Sequence, residues 1–135
     1  WTMYEFTDLM VEIPQVLVGP YSGWQTRLPK ANPHTFFDLM RIPEQEAWAR
    51  GHEKIASMMQ NFPAPTEMIG LRREDTGQII CIEGHHRATA VALAQKDGLN
   101  VFTGPVRITL APITVTELPL LEAMLKRGSS KNPGK

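Results

Sequence analysis

The residues of this chain best suited to chemistry form one short run, Glu83-Gly84-His85-His86-Arg87. An apolar stretch ends at the acid and the glycine, and an alanine-rich helical pattern begins directly after them. That order predicts a buried strand, a tight turn and a helix N-terminus. The first turn of a helix presents unpaired N–H groups and the positive end of the helix dipole. Two histidines and an arginine there add side-chain donors, so the run predicts a site for an anion, above all a phosphate.

Length and composition bound the possible functions. The chain has 135 residues, and we expect a single domain over 1–128 followed by a disordered tail at 129–135. Fourteen basic and fourteen acidic residues cancel, so there is no global basic field to drive nonspecific nucleic-acid binding. The single cysteine, Cys81, excludes an internal disulfide and a multi-cysteine zinc site. No apolar run approaches the roughly 20 residues that span a membrane, and no signal peptide is recognisable, so we expect a cytoplasmic protein.

The N-terminal part of the chain predicts a strand and a long connection. Residues 11–18 predict an edge strand, since Pro14 cannot donate a hydrogen bond to a β-ladder. The connection at 19–36 contains three prolines and two glycines, and it also holds Arg27. Loops this long inside a small domain are often functional, so we include Arg27 among the candidate phosphate-binding residues.

A helix is predicted from Pro43, which fits a first helical turn, to about Asn61. Its apolar face comprises Trp48, Ile55, Met58, Met59 and Phe62. A separate polar stripe at i, i+4, i+7 and i+11 comprises Arg50, Lys54, Ser57 and Asn61. His52 lies on the apolar face, which indicates a packed, hydrogen-bonded histidine.

The C-terminal half predicts the remainder of an α/β (α+β) fold, a mixed sheet flanked by helices. Residues 67–73 and 78–82 predict a hairpin whose second strand, apolar on both faces, is central in the sheet. The elements predicted after it are a helix over 85–96 with Gly98 at C′, a strand over 106–113, and a last helix capped by Thr116 and ending at Gly128.

Other chemical patterns in the chain are weaker. His52 begins a pattern like the zinc-protease helix motif, but Ala56 stands where that motif needs its second histidine. The adjacent histidines at 85 and 86 would diverge by about 100° on a helix, so we expect no metal site there. Cys81 falls inside the buried strand pattern, which favours a small core residue over a nucleophile.

The stretch from Glu83 to Ala90 resembles the signature of the ParB/sulfiredoxin superfamily, in which an acid or glycine precedes Gly-x-His/Arg-Arg and a helix of small residues. The predicted order of elements over about residues 11–113 is also similar to that superfamily. The short motif alone is weakly specific, and the motif with the element order is more so.

The resemblance implies roles for individual residues. His86 and Arg87 match the sulfiredoxin pair that binds ATP phosphates, whereas His85 replaces the catalytic cysteine of that family, so sulfinic-acid reduction is not expected. Sulfiredoxin also uses a Lys-x-x-Ser on its first helix, and Lys54 and Ser57 look similar. The alternative for Lys54 and Ser57 is a solvated helix face, and the alternative for Arg87 is a structural ion pair with Glu83 or a neighbouring acid.

Two other branches of the superfamily limit the interpretation. ParB proteins bind CTP at Gly-Glu-Arg-Arg and append a DNA-binding helix-turn-helix, for which the roughly 20 residues after the last predicted strand leave no room. Direct DNA binding is therefore not expected. The closest motif match is the Asp-Gly-His-His-Arg of ADP-dependent free-serine kinases, with Glu83 in place of the aspartate.

Together the residues and the resemblance predict a nucleotide- or phosphate-binding domain whose cofactor is ATP, ADP or CTP with Mg²⁺. Gly84 permits the turn, while the amides of 85–87 and the Arg87 guanidinium hold phosphate. We expect His86, as a hydrogen-bond donor or acid, and Glu83, orienting a Mg²⁺-bound water or a hydroxyl, to be catalytic in any phosphoryl transfer. Three functions stay open: a phosphotransferase or nucleotide hydrolase, a non-catalytic regulatory module, and a DNA-associated ParB-like protein.

Overall fold

A computed structural model describes residues 1–29, 33–99 and 105–127. Its four strands are β1 (Thr2–Glu5), β2 (Thr66–Arg73), β3 (Ile79–Glu83) and β4 (Val106–Ile113). Its helices are α1 (Leu9–Glu12), α2 (Ser22–Gln25), α3 (Phe36–Met40), α4 (Pro43–Gly51), α5 (Glu53–Gln60), α6 (His85–Lys96) and α7 (Leu118–Arg127), with 3-10 turns at Ile13–Gln15 and Val115–Glu117. The strands form one sheet in the order β1-β4-β2-β3. Only β2 and β4 run parallel, so the sheet is mixed and the predicted α+β class is confirmed.

The elements around the chemical motif lie where the sequence predicts them. The hairpin of β2 and β3 is antiparallel, and α6 begins at His85 and ends at Lys96. Gly98 follows the helix with φ 71°, a left-handed conformation that only glycine adopts readily, so its predicted C′ position is confirmed. The predicted strand over 106–113 is confirmed as β4.

The predicted edge strand at 11–18 is wrong. Residues up to Gln15 are helical, in α1 and the following 3-10 turn, because Pro14 fits the start of a helix as readily as a sheet edge. Within this stretch the β-bridges are at Leu17, which pairs with Thr35 and with Ile80. The edge strand on the other side of the sheet is β1, which the sequence pattern did not reveal.

The prediction that β3 is central in the sheet is also wrong, because β3 lies at the edge and β4 and β2 are central. The edge of β3 that faces away from β2 pairs with Leu17, whose N–H donates to Ile79 O at 2.9 Å and whose carbonyl accepts from Cys81 N at 2.9 Å. Its two faces are buried against different groups: Cys81 packs in the main core, and Ile80 packs against Leu17 and α7. A fully apolar strand therefore signals burial on both faces and not a central position.

The predicted helix from 43 to 61 is two helices. His52 has ψ 122°, which ends α4 and makes the same residue the N-cap of α5. Arg50 therefore leaves the predicted polar stripe, and its guanidinium instead donates to Glu46 and to both carboxylate oxygens of Asp97. The break separates Arg50 from Lys54 and Ser57 on the neighbouring helix.

The final helix starts differently from the prediction. Thr114, not Thr116, forms a capping box with Glu117, and a 3-10 turn precedes α7. Gly128 and the predicted tail at 129–135 lie outside the described residues.

The long connection at 19–36 contains α2 and the first residue of α3. Among the described residues, no helix is long and apolar enough to cross a membrane.

Helix α6 contacts the helices α1, α3, α4 and α5, and its buried side chains share one core with strand residues such as Met68 and Ile108. Six of its small or aliphatic side chains are fully or almost fully buried: Ala88, Ala90, Val91, Ala92, Leu93 and Ala94. Because a helix that is apolar on all sides is a core helix, its ends are the parts that remain available for chemistry. The alanines keep neighbouring backbones close to α6 and so bring loops to its N-terminus.

The same substitution at two glycines should have opposite effects. A Cβ at Gly51 meets no heavy atom within 4 Å, whereas a Cβ at Gly19 would lie 2.0 Å from Cys81 O. We expect Gly51→Ala to raise the free energy of unfolding by about 0.4–1 kcal/mol, because it lowers the entropy of the unfolded chain. Gly19→Ala should lower it by about 3 kcal/mol or more through overpacking against backbone. Chemical denaturation of both variants measures this, and a Gly19→Ala protein as stable as wild type would contradict the packing described here.

Candidate functional site

The turn between β3 and α6 has the predicted local geometry. Gly84 adopts φ 116° and ψ 21°, and a Cβ there would lie 2.8 Å from Met68 Cγ, so both conformation and space require glycine. The first intrahelical bond of α6 runs from Ala88 N to Gly84 O at 2.9 Å. The amides of residues 85–87 precede it and have no carbonyl partner within the helix.

A pocket of about 310 Å³ opens at this end of α6. It brings together most of the predicted site residues, namely Lys54, Glu83, Gly84, His85, His86 and Arg87. The pocket thus places these residues around the N-terminus of α6, and their binding of phosphate stays a prediction. What each side chain does there differs from residue to residue.

Four of the five N–H donors of Arg87 are engaged with protein groups. Its Nη1 donates to Thr66 Oγ1 at 2.7 Å and to Glu67 O at 2.6 Å, while its Nη2 donates to both oxygens of Glu83 at 2.9 and 2.7 Å. These bonds tie the first turn of α6 to the start of β2 and the end of β3. The guanidinium thus reaches the pocket already paired with an acid.

His85 is a structural histidine whose ring is turned inward. Its Nε2 accepts from Gly19 N at 3.0 Å, so the proton of the neutral ring lies on Nδ1, which is 3.6 Å from Cys81 Sγ. Burial, with a smaller effect of His86, lowers the pKa of His85 to about 3. The predicted side-chain contact between His85 and phosphate is not what the ring does here; its backbone amide is the group left for an anion.

His86 is a buried neutral imidazole at the pocket. Its ring packs at 4.8 Å on the ring of His52 and at 5.3 Å on Trp24. Burial, followed by the charges of His52, Lys54 and Arg87, lowers the pKa of His86 to about 4. At neutral pH it is therefore a hydrogen-bonding group or a base, and not the acid that the sequence also allowed.

The interpretation of His52 as a packed residue is confirmed, since its ring lies between His86 and Trp48. Its predicted hydrogen bonding is not seen at one nitrogen: within the described part of the chain, the buried Nδ1 has no partner. Burial, followed by the charges of Arg27 and Lys54, lowers the pKa of His52. It therefore serves as a neutral spacer beneath His86.

The remaining predicted phosphate ligands divide into one inside the pocket and two outside it. Lys54 lines the pocket, and among the described residues its ammonium has no ion-pair partner. Ser57 is exposed on another part of α5, which reaches the pocket through Lys54 and Met58. Arg27 lies 3.5 Å over the ring of Trp48 and donates to Gln45, so the structure does not place it on the pocket wall.

The sequence did not identify the apolar wall of the pocket, which comprises Tyr21, Trp24, Met58 and Ile82. Trp24 is its centre, because its ring contacts those of Phe36, Trp48, His85 and His86. The only available signal was the long Pro- and Gly-rich connection that carries Tyr21 and Trp24. Thr66, which fixes Arg87, had no sequence signal at all.

The interpretation of Cys81 as a core residue is confirmed. The side chain is fully buried, and burial, followed by the charge of Glu83, raises the pKa of its thiol. Within the described ranges, no group of three or more His, Cys, Asp or Glu residues is placed to hold a metal ion.

The two neutral histidines predict a loss of stability in mild acid. In the unfolded chain each has a pKa near 6.5, against about 3 for His85 and about 4 for His86 in the fold, so between these values the unfolded state binds more protons. The free energy of unfolding should therefore fall as the pH drops from 6.5 towards 4, by at most ~1.4 kcal/mol per pH unit for each histidine. Denaturant titrations at pH 7, 6 and 5 measure how steeply the free energy of unfolding depends on pH. His86→Asn should reduce that dependence by the contribution of one histidine. A stability that is flat between pH 7 and 5 would contradict the neutral assignment.

Comparison of the chain with protein-family models, with curated proteins and with solved structures finds no match. The function is therefore argued from the geometry of the pocket.

Proposed function

We propose that this chain is a ParB/sulfiredoxin-like domain that binds a nucleotide through its phosphates at the N-terminus of α6. The observation that carries the proposal is the position of Lys54, whose ammonium has no ion-pair partner among the described residues. It lines the same pocket as residues 85–87, whose amides have no hydrogen-bond acceptor among the described residues. An unpaired cation beside unpaired N–H groups provides both parts of a phosphate site, charge and directional donors.

The charges of the pocket support the same ligand class. Lys54 and Arg87, after burial and the effect of His52, both lower the pKa of His86, so both cations act on the pocket. Glu83 offsets one of these two cations through its ion pair with Arg87. The excess of one positive charge, together with the helix dipole, favours an anion over a neutral ligand.

A magnesium ion fits this pocket only as a companion of the nucleotide. Mg²⁺ is commonly held by substrate phosphates, waters and one or two carboxylates. Glu83 offers one exposed carboxylate, and the described residues contain no preformed group of three acidic, histidine or cysteine ligands. Bound with phosphates, the ion would supply charge neutralisation, while Glu83 and the α6 amides hold and orient the ligand.

The catalytic form of the proposal is a phosphotransferase or nucleotide hydrolase. His86 would serve as a neutral hydrogen-bonding group or base beside the phosphate, and Glu83 would orient a hydroxyl or a water once released from Arg87. One observation favours the alternative, a regulatory module without turnover: Glu83 is held by both oxygens in an ion pair, which leaves no free carboxylate base among the described residues that line the pocket. The neutral sequence pI of about 7.1 does not favour a DNA-associated protein.

Removing the charge of Lys54 should weaken nucleotide binding. We expect Lys54→Gln to lower the affinity for ADP or ATP with Mg²⁺ by about tenfold, the low end of a charge-assisted hydrogen bond. Lys96→Gln is the control, because Lys96 is the last residue of α6, roughly 16 Å along the helix axis from His85. Isothermal titration calorimetry of both variants measures the difference. Equal losses in the two variants, or none in either, would refute the proposed site.

Two substitutions separate turnover from binding. If a product assay detects nucleotide turnover, His86→Asn should reduce kcat by ~10²–10⁴-fold, the usual contribution of a positioned acid–base group. Cys81→Ser should leave kcat largely unchanged, since the thiol is buried in the core four residues earlier. Loss of activity on Cys81→Ser with retention on His86→Asn would instead require thiol chemistry. Binding without turnover for every nucleotide would support the regulatory module.

A further inference from the structure

We infer that Glu83 is the specificity-determining residue of this pocket, holding Arg87 in the free protein and selecting magnesium-complexed phosphate over metal-free phosphate. The inference rests on the proposed function and adds to it which form of the phosphate ligand the site accepts. It follows from the number of donors on Arg87, the exposure of Glu83 and the charges that line the pocket.

The guanidinium of Arg87 has almost no spare capacity. An arginine has five N–H donors, and in this structure Nη1 serves Thr66 Oγ1 and Glu67 O while Nη2 serves both oxygens of Glu83. Among the described residues, only the Nε–H is left without a partner. A phosphate can therefore form a two-bond contact with Arg87 only at the Nη2 edge that Glu83 now occupies.

The acceptors that hold Nη1 and those that hold Nη2 differ in their freedom to move. Thr66 and Glu67 belong to the backbone-paired start of β2, so they hold Nη1 in place. The side chain of Glu83 is 57% exposed, against 17% for that of Arg87, and its ion-pair partner among the described residues is Arg87 alone. An arriving anion would thus displace Glu83 and leave the position of the guanidinium unchanged.

A displaced Glu83 remains on the pocket wall, because its backbone ends β3 directly before Gly84. There its negative charge repels a phosphate that arrives alone. A phosphate that carries Mg²⁺ instead brings a cation that a carboxylate coordinates well. Glu83 therefore weakens the binding of metal-free phosphate and strengthens the binding of metal-complexed phosphate.

The test uses pyrophosphate as the probe and compares its affinity in EDTA with its affinity in excess Mg²⁺, by calorimetry, for wild type and Glu83→Gln. We expect Glu83→Gln to bind metal-free pyrophosphate about tenfold more tightly than wild type, since no ion pair has to be broken. Its gain from Mg²⁺ should be about tenfold smaller than that of wild type. Glu67→Gln is the matched control: it removes a neighbouring acid but keeps the Glu67 carbonyl that Arg87 contacts, and it should change neither affinity.

Glu83→Asp provides a second variant, because it keeps the charge at the pocket and shortens the side chain. It should retain the preference for the magnesium complex. An affinity for metal-free pyrophosphate that is unchanged or lower in Glu83→Gln overturns the inference, as does an equal gain in Glu67→Gln. If wild type and Lys54→Gln bind the magnesium complex equally well while Glu83→Gln shows the predicted gain, the proposed role of Lys54 fails and the role of Glu83 stands.

Discussion

The hydrogen bond from the Gly19 amide to His85 Nε2 is the contact on which the candidate site depends. At 3.0 Å it joins the first residue of α6 to the segment that carries Tyr21 and Trp24, the aromatic part of the pocket wall. Gln25 holds the other side of the same residue by donating to Gly19 O at 2.7 Å. Because the bond needs an unprotonated nitrogen, the burial that keeps His85 neutral is also what keeps the wall in place. The pocket therefore depends on desolvation as much as on any group that faces a ligand.

The charges of the site follow a consistent arrangement around that buried centre. Imidazoles form the interior, where the aromatic rings of Trp24 and Trp48 separate them from water, and the permanently charged groups lie at the rim. Arg87 carries its counter-ion with it, whereas Lys54 does not, so the two cations are not equivalent. A ligand meets one cation that is available at once and one that must first be released.

The sequence predicted those parts of the fold whose signals are local. The β3–turn–α6 unit was predicted well because Gly84, the alanine-rich helix and Gly98 each specify a backbone conformation through their own chemistry. The edge position of β3, the helical conformation of residues 9–15 and the break at His52 could not be predicted, since each depends on which segment packs alongside. For the site, the pattern identified Lys54 and the motif residues as neighbours of the pocket. It could not show that His85 faces Gly19, because that partner lies 66 residues away. The pair of Arg87 and Glu83 spans only four residues, so the sequence did offer it as a structural alternative.

The lack of room at Gly19 and Gly84 has a consequence for how this sequence can diverge. At each position a methyl group would overlap its neighbours whatever the pocket holds, whereas a change at Lys54 or Glu83 alters charge at the pocket without filling space in the core. Selection on folding and selection on chemistry therefore act on different residues of the same site. Descendants with a new ligand are free to exchange the charged residues, but they must keep both glycines. In a comparison of related sequences, Gly19 and Gly84, 65 positions apart, should therefore be retained more often than the two histidines of the motif.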